Sequence, residues 1–337
     1  MKKPYPALTF LGLTSHDENP LVLPDSFLGG SAPRLQTFLL THIRFPALGK
    51  LLFSTRDLVT LHLSDIPRSG YISPDAVVTC ISTSTRLEYL GLEFRSPLSL
   101  AERVNRYPPP LARVALPALT TLRFRGNSEY LEDTVSRIDT PLLHNVEIIF
   151  FNQLIFDIPH LRHFITRIEQ FRAYRASAFF TRHFVKIISP WQKGMRFQVE
   201  ISCKPLDWQL SSLMEVYSSF LSPVCTLELL RICDNQHLSP QQDDIPENTE
   251  WLDFLHQFTS IKDLELSRNF VPLVLPALGG LIGERATEVL PALQNIFVEE
   301  LPSSGPVQEA IGQFVASRPL SGCPVTIRQR EVIWWAE

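Results

Sequence analysis

The chain has 337 residues, 45% of them hydrophobic, and a formal net charge of −4, so it can fill an extended core but lacks the basic excess that marks nucleic-acid or anionic-membrane binders. Its five cysteines, Cys80, Cys203, Cys225, Cys233 and Cys323, are odd in number and scattered, and no Asn-Xaa-Ser/Thr acceptor occurs, which argues against a disulfide-stapled secreted domain and for a reducing cytoplasmic or nuclear setting. The longest apolar run, 271–283, is broken by Pro272 and Pro276 and falls short of the about 20 residues that span a bilayer, while Pro4 and Pro6 interrupt any leader at the start.

From the amino terminus one spacing recurs, with apolar residues at i, i+3 and i+5. It fits Leu8-Leu11-Leu13, Leu35-Phe38-Leu40, Leu58-Leu61-Leu63, Leu87-Leu90-Leu92, Leu119-Leu122-Phe124 and Leu143-Val146-Ile148. Further matches fall at Phe171-Tyr174-Ala176, Val199-Ile201, Val224-Leu227-Leu229, Ile261-Leu264-Leu266, Leu293-Ile296-Val298 and Val325-Ile327. Steps of roughly 28 residues match a leucine-rich repeat, in which each copy supplies a short strand that only stacking on neighbours can stabilise.

Helices fill the gaps. Ser73-Pro74-Asp75 reads as N-cap, first-position proline and first-turn acid, with Val77, Cys80 and Ile81 on one face. Asn127 or Ser128 opens a second helix with Leu131, Val135 and Ile138 inward, and Pro159 a third with Leu161, Phe164, Ile165 and Ile168 inward. The same pattern recurs at Leu210-Leu213-Met214-Tyr217, at Trp251-Phe254-Leu255-Phe258 and at Val307-Ile311-Phe314. Strand and helix in alternation predict an α/β leucine-rich-repeat solenoid over residues 1–337: a horseshoe with a parallel sheet on its concave face and helices on its convex face.

Two stretches depart from the repeat. Residues 95–117 hold Pro108-Pro109-Pro110 with Arg95, Arg103, Arg106 and Arg113, and are expected to be an exposed, mobile basic insertion. Residues 238–248, with Asp243, Asp244 and Glu247 among prolines and glutamines, read as a polar linker.

No nucleophile elbow, phosphate loop, dinucleotide fingerprint or Cys-Xaa-Xaa-Cys pair is present, so the expectation is no catalytic residue, no metal and no cofactor. His160 and His163 share a helix face, but without a cysteine or matched acid they read as a solvated helix start. The candidate surface is the concave face, where alternate strand residues point away from the core. Phe10, Thr37, Thr60, His62 and Tyr89 lead to Arg123, Arg125 and Arg175, with Glu147 among them, and then to a predicted acidic lane of Glu200, Glu228, Asp263, Glu265 and Glu299. Such a face is suited to a protein partner, and Tyr and Arg are enriched at binding hot spots.

Four stretches carry a family likeness: Leu23-Pro24-Asp25-Ser26-Phe27-Leu28-Gly29-Gly30-Ser31-Ala32-Pro33-Arg34-Leu35, Ser69-Gly70-Tyr71-Ile72-Ser73-Pro74, Leu90 to Pro97, and Ser128-Glu129-Tyr130-Leu131-Glu132-Asp133. They resemble the leucine-rich-repeat portion of F-box-like proteins of mushroom-forming fungi. The resemblance implies a non-catalytic substrate-recognition role, since in that family the repeats recruit a substrate and a separate F-box docks on the adaptor of a cullin-RING ubiquitin ligase. In this chain Leu23 to Leu28 echo an F-box opening, but Gly29-Gly30 and a repeat strand follow, so the expectation is a chain that binds a protein and not the adaptor. A free-standing repeat scaffold unrelated to ubiquitin is the other reading.

Overall fold

Four anchoring leucines close a tight turn by donating the N–H to the carbonyl three residues earlier: Leu35 to Ala32 at 3.1 Å, Leu87 to Ser84 at 3.1 Å, Leu119 to Leu116 at 3.2 Å and Leu143 to Thr140 at 3.3 Å. The chain then runs extended, and because side chains alternate along a strand, the apolar residues three and five positions on share one face. The computed structural model describes residues 5–17, 19–97, 112–151, 156–167, 175–181, 183–190, 196–203, 206–218, 227–234, 248–281, 285, 287–299, 305–320 and 324–330. Arg103, Arg106 and the three prolines of the basic insertion, and residues 238–247 of the polar linker, lie outside them. The chain divides into two units, Met1–Phe151 with Asp157–Gln170 and Met195–Phe197, and Asn152–Phe156 with Phe171–Gly194 and Gln198–Glu337.

The first unit carries a parallel sheet in the order β1 (Phe10–Thr14), β3 (Thr37–Thr41), β5 (Thr60–Ile66), β6 (Tyr89–Phe94), β8 (Thr121–Gly126) and β10 (Asn145–Phe150). Leu11, Phe38, Leu61, Leu90, Leu122 and Val146 align across it, as do Leu13, Leu40, Leu63, Leu92, Phe124 and Ile148. Two short parallel ladders flank the main strands: β2 (Leu21–Val22) with β4 (Ile43–Arg44), which follow β1 and β3, and β7 (Val114–Ala115) with β9 (Ile138–Asp139), which precede β8 and β10. Ile138 is buried as expected, but in β9 rather than in the preceding helix.

Four helices pack on the buried side: α1 (Leu48–Ser54), α2 (Pro74–Ile81), α3 (Ser128–Ser136) and α4 (Pro159–Thr166). At α2 the predicted cap forms, with Ala76 N–H donating to Ser73 Oγ at 3.2 Å. Helix α4 is capped from its neighbour instead. Glu132 of α3 accepts the N–H groups of His160 at 2.5 Å and Leu161 at 2.7 Å, which satisfies two of the free donors at that terminus. Burial pushes the Glu132 carboxyl up, and these two bonds act against it.

The second unit carries β13 (Arg196–Ile201, in this unit from Gln198 on), β12 (Val185–Pro190), β11 (Arg175–Phe180), β14 (Leu229–Asp234), β15 (Asp263–Leu266), β16 (Asn295–Val298) and β17 (Thr326–Gln329), in that spatial order. Here the all-parallel expectation needs correction, because β11 and β12 are antiparallel. The cause is local. Ala176, Ala178 and Phe180, then Val185 and Ile187, are buried in alternation, and the link between them is too short for a crossover helix. Thr181 closes the hairpin, its Oγ1 accepting the N–H groups of His183 at 3.2 Å and Phe184 at 3.0 Å.

Helices α5 (Leu206–Val216), α6 (Asn248–His256), α7 (Val271–Gly279) and α8 (Pro306–Leu320) complete this unit. Trp251, Phe254, Phe258, Phe270 and Phe180 form its aromatic core. Among the described residues no helix is long and apolar enough to cross a membrane.

Candidate functional site

The face of the first sheet that points away from the helices holds the residues the strand period predicts. One row across it reads Phe10, Thr37, Thr60, Tyr89, Thr121 and Asn145, and the next reads Gly12, Leu39, His62, Gly91, Arg123 and Glu147. Glu93 stands one pleat further along, beside Arg125. These rows bring four charged or titratable groups together. His62 Nε2 lies 2.7 Å from Glu93 Oε1, and Arg123 Nε lies 2.9 Å from the same oxygen and 3.7 Å from Glu147 Oε2. The Arg123 contacts are ion pairs and not aimed hydrogen bonds, since the Nε–H does not point at its carboxylates.

Gly91 makes this arrangement possible. A Cβ there would stand 2.4 Å from His62 Cδ2, so only glycine leaves the imidazole room to reach across to Glu93. The His62 ring also meets Tyr89 edge-on, with centroids 5.5 Å apart. Burial opposes ionisation of Glu93, but the bond from His62 and the positive charges of Arg123, His62 and Arg125 outweigh it and hold the carboxyl below its usual range. Burial also pushes the Tyr89 hydroxyl up, with Arg123 opposing and the two glutamates adding, so it stays a neutral donor. On Arg123 burial acts downward, and Glu93 and Glu147 raise it.

Arg125 has a different setting, its guanidinium over the Phe151 ring at 5.7 Å from the centroid. At the strand ends a further cluster forms that the sequence reading missed. His42 is buried, with Nδ1 3.1 Å from Asp65 Oδ2, and Arg95 places a guanidinium nitrogen 3.1 Å from Nδ1 and 3.0 Å from Nε2 of its ring. His42 and Asp65 both take left-handed φ, +57° and +51°, and Asp65 lies where the β5–β6 register shifts between Leu63 and Ile66. Arg95 is therefore a rim residue of the sheet and not part of a free basic loop. Arg113 is likewise tied down, donating from Nε to Ser136 O at 3.2 Å.

In the second unit the register corrects one expected strand. Leu227, Leu230 and Ile232 are buried and Leu229 only half-buried, with Leu230 beside Leu264 and Ile232 beside Leu266; Val224 lies outside the described residues. This moves Glu228 off the strand and puts Arg231 on the outward face beside Glu265. The predicted acidic lane thus becomes a row of occupied carboxylates. Glu265, only 2% exposed, takes Arg231 at 2.5 Å and Arg330 at 3.4 Å, while Glu228 pairs with Lys262 at 2.8 Å. Asp263 accepts from Asn295 at 2.8 Å, and Glu299 accepts the Arg268 N–H at 3.0 Å. Glu200 sits half-buried on β13, and Arg175 opens β11 in register with Leu229.

Neither a protein-family model nor a curated protein matches the chain. Among solved structures, the leucine-rich repeat-containing protein LegL7 from Legionella pneumophila is similar over 95% of this chain and 97% of its own, at 14% identity and a TM-score of 0.33.

Proposed function

We propose that the chain is a non-catalytic protein-binding domain, each unit a stretch of leucine-rich-repeat solenoid, and that it takes its partner on the outward sheet face of the first unit at Tyr89, Arg123 and Arg125. The observation that carries this reading is the cluster itself, in which carboxylates and rings hold a half-buried tyrosine and two arginines in set positions. Side chains ordered before the partner arrives lose less freedom on binding, and Tyr and Arg are the types over-represented at hot spots. The family resemblance supports a narrower version, recognition of a substrate for a cullin-RING ubiquitin ligase. In either version the partner is a protein met in the cytoplasm or nucleus, and neither nucleic acid nor membrane.

Photo-crosslinking in cells expressing the full chain tests the face. A crosslinking side chain in place of Tyr89 should give protein adducts that Arg123→Glu removes, and one in place of Thr79, exposed on α2, should give none of them. Identical adducts from both positions, or adducts indifferent to Arg123→Glu, would move the site elsewhere. Recovery of the ligase adaptor by the full chain separates the ubiquitin version from a free-standing scaffold.

A further inference from the structure

On the helix side of the first unit, between α1, α2 and the turn before α2, lies a cavity of about 430 Å³. Its walls include Leu48, Leu52, Leu61, Leu63, Val77 and Cys80, none more than 7% exposed. Protein interiors are packed to crystal density, and voids much larger than a water molecule are few. This one is about three times the ~150 Å³ apolar cavity that accepts benzene in an engineered protein, and it falls within the ~300–1,000 Å³ of natural ligand pockets.

Two glycines are among the lining residues: a Cβ at Gly49 of α1 would stand 3.1 Å from Cys80 Sγ, and one at Gly70 would meet Pro67 and the Arg44 Cα at ordinary contact distance. Of the polar side chains on the lining, the Ser73 oxygen is taken up by the Ala76 N–H, the Cys80 thiol is held neutral by burial, and Ser69 and Tyr71 carry uncharged hydroxyls. Arg44 is different. It is an exposed, positively charged residue of the lining, and among the described residues it has no ion-pair partner.

A largely apolar cavity with one cation among its lining residues suits a molecule with an apolar body and a single negative charge. Those six side chains are too little exposed for a protein surface to cover them, while Arg44, Pro46 and Ser69 of the same lining are exposed. One guanidinium matches a carboxylate fork to fork, whereas a phosphate dianion calls for more donors than this lining offers. We propose that the cavity binds an amphiphilic monocarboxylate, its apolar tail between α1 and α2 and its carboxylate on Arg44. The site lies on the other side of the sheet from the protein-binding face and stands or falls independently of it.

Calorimetry on the full chain with decanoate and decanol as probes tests this. Decanoate should bind saturably, and Arg44→Gln, which keeps one neutral N–H donor of the fork, should weaken it about ten- to hundredfold while leaving decanol unchanged. Ala76→Phe, which fills the cavity from the half-buried side of α2, should abolish both. Because that variant puts a large ring between packed elements, a second readout uses the native chain: decanoate should slow the modification of Cys80 by a small neutral thiol reagent. No saturable binding of decanoate, or binding that neither fills with Ala76→Phe nor protects Cys80, overturns the site. Decanoate binding untouched by Arg44→Gln overturns the assignment of the carboxylate.

Discussion

Replacing Gly91 by alanine asks whether the outward cluster can be removed without removing the fold. A Cβ at this position would stand 2.4 Å from His62 Cδ2 and 3.0 Å from Tyr89 Cε1, so the imidazole must swing away and its 2.7 Å bond to Glu93 breaks. A hydrogen bond to a charged group contributes about 1.5–3 kcal/mol, and alanine in a strand recovers about 0.5–1 kcal/mol over glycine. The net expectation is a loss of about 1–2 kcal/mol at neutral pH, measured by urea denaturation. Acid gives the loss a signature. Burial alone would raise the Glu93 carboxyl, yet His62 and the arginines hold it below its usual range, so its folded pKa lies under its unfolded one. Such a carboxylate contributes stability that is complete above the unfolded value and disappears as pH falls through the folded value. The gap between wild type and variant should therefore be widest at neutral pH and close in acid, while carboxyl-detected NMR shows the Glu93 titration moving upward in the variant. A stability difference that ignores pH, with an unmoved Glu93 titration, would refute the reasoning.

Other substitutions probe the frame. Leu90→Ala removes a fully buried side chain stacked between Leu61 and Leu122 and should cost about 2–5 kcal/mol; an unchanged melting temperature would mean the inward positions are misread. Glu265→Lys sets a third cation beside Arg231 and Arg330 at a buried position and should cost about 3–5 kcal/mol, whereas Glu228→Lys breaks an exposed pair and should change denaturation by less than about 1 kcal/mol. Equal effects would show that the Glu265 pair is no more buried than the Glu228 one. Gly279→Val drives a side chain into Ala310, whose Cβ lies 2.6 Å and Cα 2.8 Å from the new Cβ, and should cost about 1–3 kcal/mol because backbone has to yield; a midpoint equal to wild type would place α7 and α8 further apart.

What was legible and what was not divides along a physical line. Leucines at i, i+3 and i+5 betray inward positions because burial acts on each strand separately, and so the repeats of the first unit and the faces of α2, α4 and α6 could be read directly. The period of two also named Tyr89, Arg123 and Arg125 as outward. Pairings were another matter. Glu93 sits at the next outward step of a strand already in hand, but its partners His62 and Arg123 lie about one repeat away on either side, and only register brings them together. The hairpin of β11 and β12 is not legible in the repeat spacing: the match Phe171-Tyr174-Ala176 only enters β11 and none falls on β12, while Thr181, the residue that turns the chain, carries no glycine or proline signal.

The misread strand β14 shows how the sequence could have corrected itself. With Leu229 and Leu230 adjacent, an anchor at Val224 or one at Leu227 can each be made to fit the spacing, and a shift by an odd number of residues moves every side chain to the opposite face. Hydrophobicity alone barely separates the two, but charge does. Anchored at Leu227, the strand sets Arg231 beside Glu265 of the next copy, an opposite-charge pair in lateral contact; anchored at Val224, it sets Glu228 beside Glu265, two like charges directly opposed. Like charges opposed across a ladder are destabilising, so the second register requires a carboxylate to be buried against a carboxylate with Arg231 turned away. Glu265 is buried and bridged by two arginines, which is the arrangement the first register permits. In a chain whose copies lie some 30 residues apart, the sign of charges in the same outward column is therefore a test of register that leucine spacing cannot supply, and here it pairs Glu265 with Arg231.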